Sequence, residues 1–243
     1  MKVFCNTDKG LLRSNNQDAY ANGMFDDGTV WAVVCDGMGG ANGGNVASRM
    51  AVDYFSASLK SGYRSNMSEN SVKNLLETSV NAANVRVFDK SRESSELAGM
   101  GTTIVAALIT PVAAFFSHAG DSRAYILRNG ELSQVTRDHS IVQSMIESGK
   151  LSQEEARFHP RKNVITRALG VDETVNVDFT VAEFSKGDKI LICTDGLTNF
   201  TETDAIKAIL ADEGVPDPAA SLIELANTNG GGDNITAVVV ENI

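Results

Sequence analysis

The chain has 243 residues, 42% hydrophobic and 21% charged, which is ordinary globular usage and enough to bury a large core without staples. With 21 Lys and Arg against 31 Asp and Glu the formal charge is −10, so the surface repels phosphate backbones and nucleic-acid binding is disfavoured. Three cysteines, Cys5, Cys35 and Cys193, form no CxxC pair, which argues against a disulfide framework or a structural zinc site.

The elements follow in chain order. The N-terminus MKVFCNTDKG has no long apolar run, so no signal peptide is expected. Val30–Cys35 (VWAVVC) reads as a buried strand between Asp-Gly pairs. From Asn45 to Leu59, apolar residues recur at helical spacing through Val46, Met50 and Tyr54 and through Ala47, Ala51 and Phe55. Ser71–Phe88 repeats the pattern with Val72, Leu76, Val80, Ala83 and Val87. Thr102–Ile109 and Val112–His118 are β-branched and aromatic, and Thr110-Pro111 breaks the apolar stretch before it could span a bilayer. Ala124–Arg128 and Glu131–Val135 flank Asn129-Gly130, a type I′ hairpin signal.

Short helices are predicted at Ser140–Ser148 and at Ser152–Phe158, the second opened by a capping box from Ser152 to Glu155. Val175–Val181 alternates as a half-buried strand, and Lys189–Thr194 and Ile235–Val240 read as buried ones. Helices are predicted at Glu202–Ala211 and at Pro218–Asn227, the latter with Asp217 as N-cap. Turns and hairpins join most strands and the two longest helices are neighbours. That grouping predicts a layered antiparallel α+β domain over residues 1–243 rather than a doubly wound parallel sheet. Neither a linker nor a repeat divides the chain, and the expected location is cytoplasmic.

The chemistry lies in the aspartates. Asp18, Asp36, Asp121, Asp195 and Asp233 all fall at the mouths of apparent strands, and four of them have glycine within two residues. One such aspartate is usually a turn residue. Five at the ends of packed strands can converge on one cleft, where they stay ionised only if cations neutralise them. Carboxylates, carbonyls and water select hard cations such as Mg²⁺ or Mn²⁺. Two such ions can activate a bridging water for in-line attack on phosphorus. Asn42 spoils a GxGxxG pattern begun at Gly37, and there is no GxxxxGK[ST], so a Rossmann or P-loop reading is poor. Arg13 stands five residues before Asp18 and could hold phosphate oxygens bidentately, or could be a solvated surface residue. His118 reads as a core or rim residue, and His139 and His159 are open between surface and site.

Eight motifs in order resemble the metal-dependent protein phosphatases, the type 2C serine/threonine phosphatases, over nearly the whole chain. They are Arg13-Ser-Asn-Asn-Gln-Asp18, Asp36-Gly-Met-Gly-Gly40, Gly101-Thr-Thr103, Gly120-Asp-Ser-Arg123, Asp138-His-Ser140, Thr166-Arg-Ala-Leu-Gly170, Asp195-Gly196 and Gly232-Asp-Asn234. The resemblance implies an αββα sandwich of two antiparallel sheets with helices outside, and two Mn²⁺ or Mg²⁺ ions at one edge. It implies that Asp36 bridges both ions, that the Gly37 carbonyl binds the second, and that Asp195 and Asp233 bind the first. Asp18 would hold metal-bound water, Asp121 with Asp195 would form a looser third-metal site, and Arg13 would bind the substrate phosphate. Residues 138–170 would be a flap beside the site.

Met38 stands where many eukaryotic members carry a histidine proposed as the general acid, so a metal-bound water is the expected donor. Gln17 replaces a common glutamate. Two divalent ions would bring the charge from −10 to −6. The implied function is hydrolysis of phosphoserine and phosphothreonine in proteins, with a serine/threonine kinase as counterpart, by a monomer with no membrane attachment. The competing readings are a catalytically weak phosphoprotein-binding module and a two-carboxylate glycosidase, which would leave most of the aspartates idle.

Overall fold

The computed structural model describes residues 1–243, apart from the side chains of Ala41 and Asn42. In chain order the elements are β1 (Lys2–Asp8), β2 (Asp18–Met24), β3 (Val30–Met38), α1 (Gly40–Gly62), α2 (Glu69–Ser91), β4 (Gly101–Thr102), β5 (Ile104–Ile109), β6 (Ala113–Ala119), β7 (Arg123–Arg128) and β8 (Glu131–Gln134). There follow α3 (Ile141–Glu147), α4 (Gln153–Phe158), β9 (Asp178–Glu183), β10 (Lys189–Cys193), α5 (Asp195–Thr198), α6 (Thr203–Ala211), α7 (Pro218–Thr228) and β11 (Ile235–Glu241).

The strands form two sheets. One has the order β1-β11-β10-β7-β8, the other β2-β3-β5-β6-β9 with β4 beside β3. Every pairing is antiparallel. The period-two rule sets the layers. Val30, Ala32 and Val34 of β3 face a shared core with Ile190 and Ile192 of β10 and Val238 and Val240 of β11. The alternate residues Trp31, Val33 and Cys35 pack with Ala51, Phe55 and Leu59 of α1 and Leu76, Val80 and Val87 of α2. On the opposite side Leu191, Cys193, Ala237 and Val239 meet Ile206 and Leu210 of α6 and Leu222, Ile223 and Ala226 of α7. The result is the expected αββα sandwich. Central strands are apolar on both faces because each face is covered, which is why they read as continuous apolar runs. Each fully buried large side chain contributes about 1.5–3 kcal/mol.

Local chemistry explains the boundaries. Asn129 and Gly130 take φ of 51° and 76°, as a type I′ turn requires. Ser152 and Glu155 form the capping box, and Asp217 caps α7 ahead of Pro218. No residue range is predicted from the sequence for β1 or β2, although Asp18 is placed at a strand mouth. Both are edge strands, half-buried and rich in polar residues (KVFCNTD and DAYANGM), so they lack the apolar signal of a central strand. The strand expected at Val175–Val181 starts later, at Asp178, where pairing with β6 begins; Val175 and Val177 pack on the helical layer ahead of it. Helix α1 starts at Gly40 rather than Asn45, because its first turn carries no apolar residue of the periodic face.

Candidate active site

The pairing registers bring the chemistry to one edge. Asp18 opens β2 opposite Asp36 near the end of β3. Asp195 follows β10, and Asp233 precedes β11, its antiparallel partner. Asp121 lies in the link that carries the chain from β6 in one sheet to β7 in the other. The structure thus places all five aspartates at the same end of the sandwich.

Asp18 is buried, 6% exposed, between the sheets. Thr194 and Thr236, at the ends of β10 and β11, both donate their hydroxyls to its Oδ2, at 2.8 and 2.7 Å. Its Oδ1 has no hydrogen-bond partner among the described residues, and neither has Oδ1 of Asp195. Asp195 Oδ2 accepts from Asn199 Nδ2 at 2.9 Å, and Asp233 Oδ2 accepts from Arg13 Nη2 at 2.8 Å. Buried orphan oxygens on carboxylates are costly, and two in one cleft are the donor chemistry that a hard cation or its water fits.

The electrostatics agree. Burial, with the charges of Asp195 and Asp233 added, pushes Asp18 up to about 7 despite the two threonine donors. Asp36 is pushed well above the usual carboxylate range, first by burial and then by the charges of Asp18, Asp195, Asp121 and Asp233. Asp121 is raised by burial and by Asp195, and Asp195 by burial and by Asp233. Carboxylates that repel one another in a desolvated cleft become favourable only with cations among them.

The backbone is positioned with equal care. The Asp36 N–H donates to Thr103 Oγ1 at 2.9 Å, and its carbonyl accepts from Thr102 Oγ1 at 2.8 Å and from the Thr103 N–H at 2.9 Å. A Cβ at Gly37 would stand 2.1 Å from the Gly44 carbonyl oxygen, so only glycine lets the strand pass here. Asn234 anchors the Arg13–Asp18 loop. Its Oδ1 accepts from the Gln17 N–H at 2.8 Å, and its Nδ2 donates to the Lys9 and Asn15 carbonyls at 2.9 Å. These holders, Thr194, Thr236, Thr102, Thr103 and Asn234, went unassigned in the sequence; the signal was their place inside or beside the aspartate motifs.

Met38 turns its methyl against Gly101 and offers no proton. Gln17 Nε2 donates to the Gly40 carbonyl at 2.9 Å. A cleft of about 650 Å³ opens from Asp121 and Asp195 toward α3 and α4, lined also by Arg123, Gln143, Arg157 and Asn199. In the flap, Arg157 donates to both carboxylate oxygens of Glu202, at 2.7 and 2.6 Å. Arg161 is exposed and Lys162 half-buried.

Comparison with known proteins accords with this arrangement. The family model described as Protein phosphatase 2C matches residues 13–220. The serine/threonine phosphatase stp of Listeria monocytogenes is 38% identical over 238 residues, 97% of this chain and 93% of that protein. A serine/threonine phosphatase structure from S. agalactiae superposes with a TM-score of 0.91 at 36% identity, covering 99% of each chain. The catalytic domain of the phosphatase PstP, solved in complex with 2 manganese ions, superposes with a TM-score of 0.85 at 34% identity, covering 98% of this chain and 96% of that one. Matches of this extent, on a site assembled from the motifs of the resemblance, make the chain a member of the protein phosphatase 2C family of serine/threonine phosphatases.

Proposed function

We propose that the chain hydrolyses phosphoserine and phosphothreonine in proteins at the five-aspartate cleft, as a single domain over residues 1–243 with a flap at about 138–170. The observation that carries this reading is the set of buried, mutually repelling carboxylates with unpartnered oxygens on Asp18 and Asp195. Asp36, Asp195, Asp233 and the Gly37 carbonyl would hold two Mn²⁺ or Mg²⁺ ions, and Asp121 with Asp195 would hold a looser third. When bound, these ions supply Lewis acidity and a water of lowered pKa for in-line attack on phosphorus. Thr194 and Thr236 fix Oδ2 of Asp18, which leaves its unpartnered Oδ1 to accept a hydrogen bond from a water in the cleft. Arg13 sits at the rim with half its side chain exposed, and turns from Asp233 to the phosphate oxygens of the substrate.

Phosphoserine in proteins requires a kinase that uses ATP, so the counterpart is a serine/threonine kinase and the shared compartment is the cytoplasm. No described helix is long and apolar enough to cross a membrane. The enzyme acts as a monomer. Hydrolysis of a phosphothreonine peptide with and without Mn²⁺ tests the reading. Metal-dependent release of phosphate is expected, and stoichiometric peptide binding without turnover would favour a phosphoprotein-binding module instead.

A further inference from the structure

His118, His139 and Asp178 lie apart from the aspartate cleft, and one ligand atom from each falls within 4.8 Å of the others. The group is not arranged for a metal. The two imidazoles stack, with centroids 4.7 Å apart and planes 8° from parallel. Nitrogen lone pairs lie in the ring planes, so those of stacked rings do not converge on one ion. A positive charge is also present already: Arg167 Nη1 stands 2.6 Å from Asp178 Oδ1 and 3.0 Å from His139 Nε2.

What the group holds is the backbone around Asp121. His139 Nδ1 accepts from the Gly120 N–H at 3.2 Å, and the His139 N–H donates to the Gly120 carbonyl at 2.8 Å. With Nδ1 an acceptor, the ring proton sits on Nε2 and points to Asp178 Oδ2 at 3.2 Å; Arg167, which can only donate, acts on the ring through its bond to Asp178 Oδ1. The neighbours of His139 grip the same loop. The Arg137 carbonyl lies 2.9 Å from His118 Nε2, and Asp138 receives Arg123 through three contacts of 2.9, 3.0 and 2.6 Å. Residues 137–139 therefore hold positions 118, 123 and 120, which bracket Asp121. Gly120 itself has φ +117°, and a Cβ there would meet Thr103 at 2.6 Å, so the turn is pinned from the other side as well. The flap returns to this point, where the Thr166 N–H donates to the His139 carbonyl at 2.8 Å.

We infer that His139 is a positioning residue: oriented by Asp178, which Arg167 holds in turn, it fixes the Gly120–Asp121 turn and thereby sets where the Asp121 carboxylate stands for a third cation. The inference rests on the proposed metal role of Asp121.

The test is Mn²⁺ binding by titration calorimetry, alongside Mn²⁺ activation curves, for the wild type, Asp121→Ala, His139→Leu and His139→Asn. Asparagine Oδ1 reaches the place of Nδ1 and keeps the bond to Gly120, whereas leucine loses it. One lost neutral hydrogen bond corresponds to about 5-fold in affinity. His139→Leu is expected to weaken the weakest Mn²⁺ site by about that factor, leave the tight sites unchanged, and be largely rescued by His139→Asn. If Asp121→Ala leaves the weak site intact, the third-cation role falls and the inference with it. If Asp121→Ala abolishes that site while both His139 variants bind like the wild type, only the positioning role is overturned. A drop in melting temperature with unchanged binding overturns it too. Should His139→Leu not fold, Asp178→Ala, which removes the acceptor of the Nε2 proton and frees the ring from its far side, carries the test with the same calorimetric readout.

Discussion

Asp18 offers the sharpest test of the idea that this cleft trades stability for chemistry. The perturbation is Asp18→Asn, studied with chelator present so that no cation offsets the charge. In the folded chain burial raises Asp18 from its ordinary 3.8 to about 7. Its contribution to stability is therefore fully present below about pH 4 and is lost as pH rises through about 7, because the folded state holds a proton that the unfolded state has released. For these two values the linkage relation gives a loss of about 2 kcal/mol between pH 5.5 and pH 8. Asparagine has no such charge, and its amide oxygen can still accept from Thr194 and Thr236. The stability difference between variant and wild type should thus shift toward the variant by about 2 kcal/mol across that range, or roughly 4–8 °C in Tm for a chain of this size. Thermal melts in EDTA at pH 5.5 and pH 8 read this directly. Turnover with Mn²⁺ should fall in the same variant. A variant offset that is identical at both pH values would refute the reasoning, since it would mean that Asp18 carries no buried charge.

Asp195→Asn and Asp233→Asn should each cut turnover by orders of magnitude while the fold persists, since each replaces a half-buried cleft carboxylate by an amide of the same size; near-normal turnover of either at saturating Mn²⁺ would falsify its metal assignment. Arg13→Ala should raise KM and weaken inhibition by inorganic phosphate roughly 10- to 100-fold, the value of a charge-assisted bond of ~1.5–3 kcal/mol, and unchanged values would make Arg13 a partner of Asp233 alone. Asn234→Ala removes three bonds, two to the Arg13–Asp18 loop and one to the Lys9 carbonyl before it, and urea denaturation should show a loss of about 1–3 kcal/mol together with weaker Mn²⁺ activation. The double change Arg161→Glu with Lys162→Glu should lower kcat/KM for phosphopeptides and spare p-nitrophenyl phosphate, which is too small to reach the flap; equal losses on both substrates would indicate a folding defect instead.

The sequence by itself determined the central strands, the long helices and the family resemblance. The runs VWAVVC, KILICT and ITAVVV are apolar on both faces, and that pattern survives any register, so they were legible without neighbours. Hairpin and capping signals at Asn129-Gly130, Ser152 and Asp217 are local chemistry and were legible for the same reason. Edge strands β1 and β2 were not, because half of each faces solvent or a partner sheet and their identity as strands comes from backbone pairing with β11 and β3. Aspartates at strand ends could be counted in the sequence, but their convergence needed the antiparallel registers that bring β2, β3, β10 and β11 to one edge. Only the tertiary structure joined Asp18 to Thr194 and Thr236, more than 170 positions away, and His139 to the Gly120 backbone. Such partners leave no periodic trace, because a hydrogen bond between distant residues is set by how the sheets stack and not by the chain on either side of it.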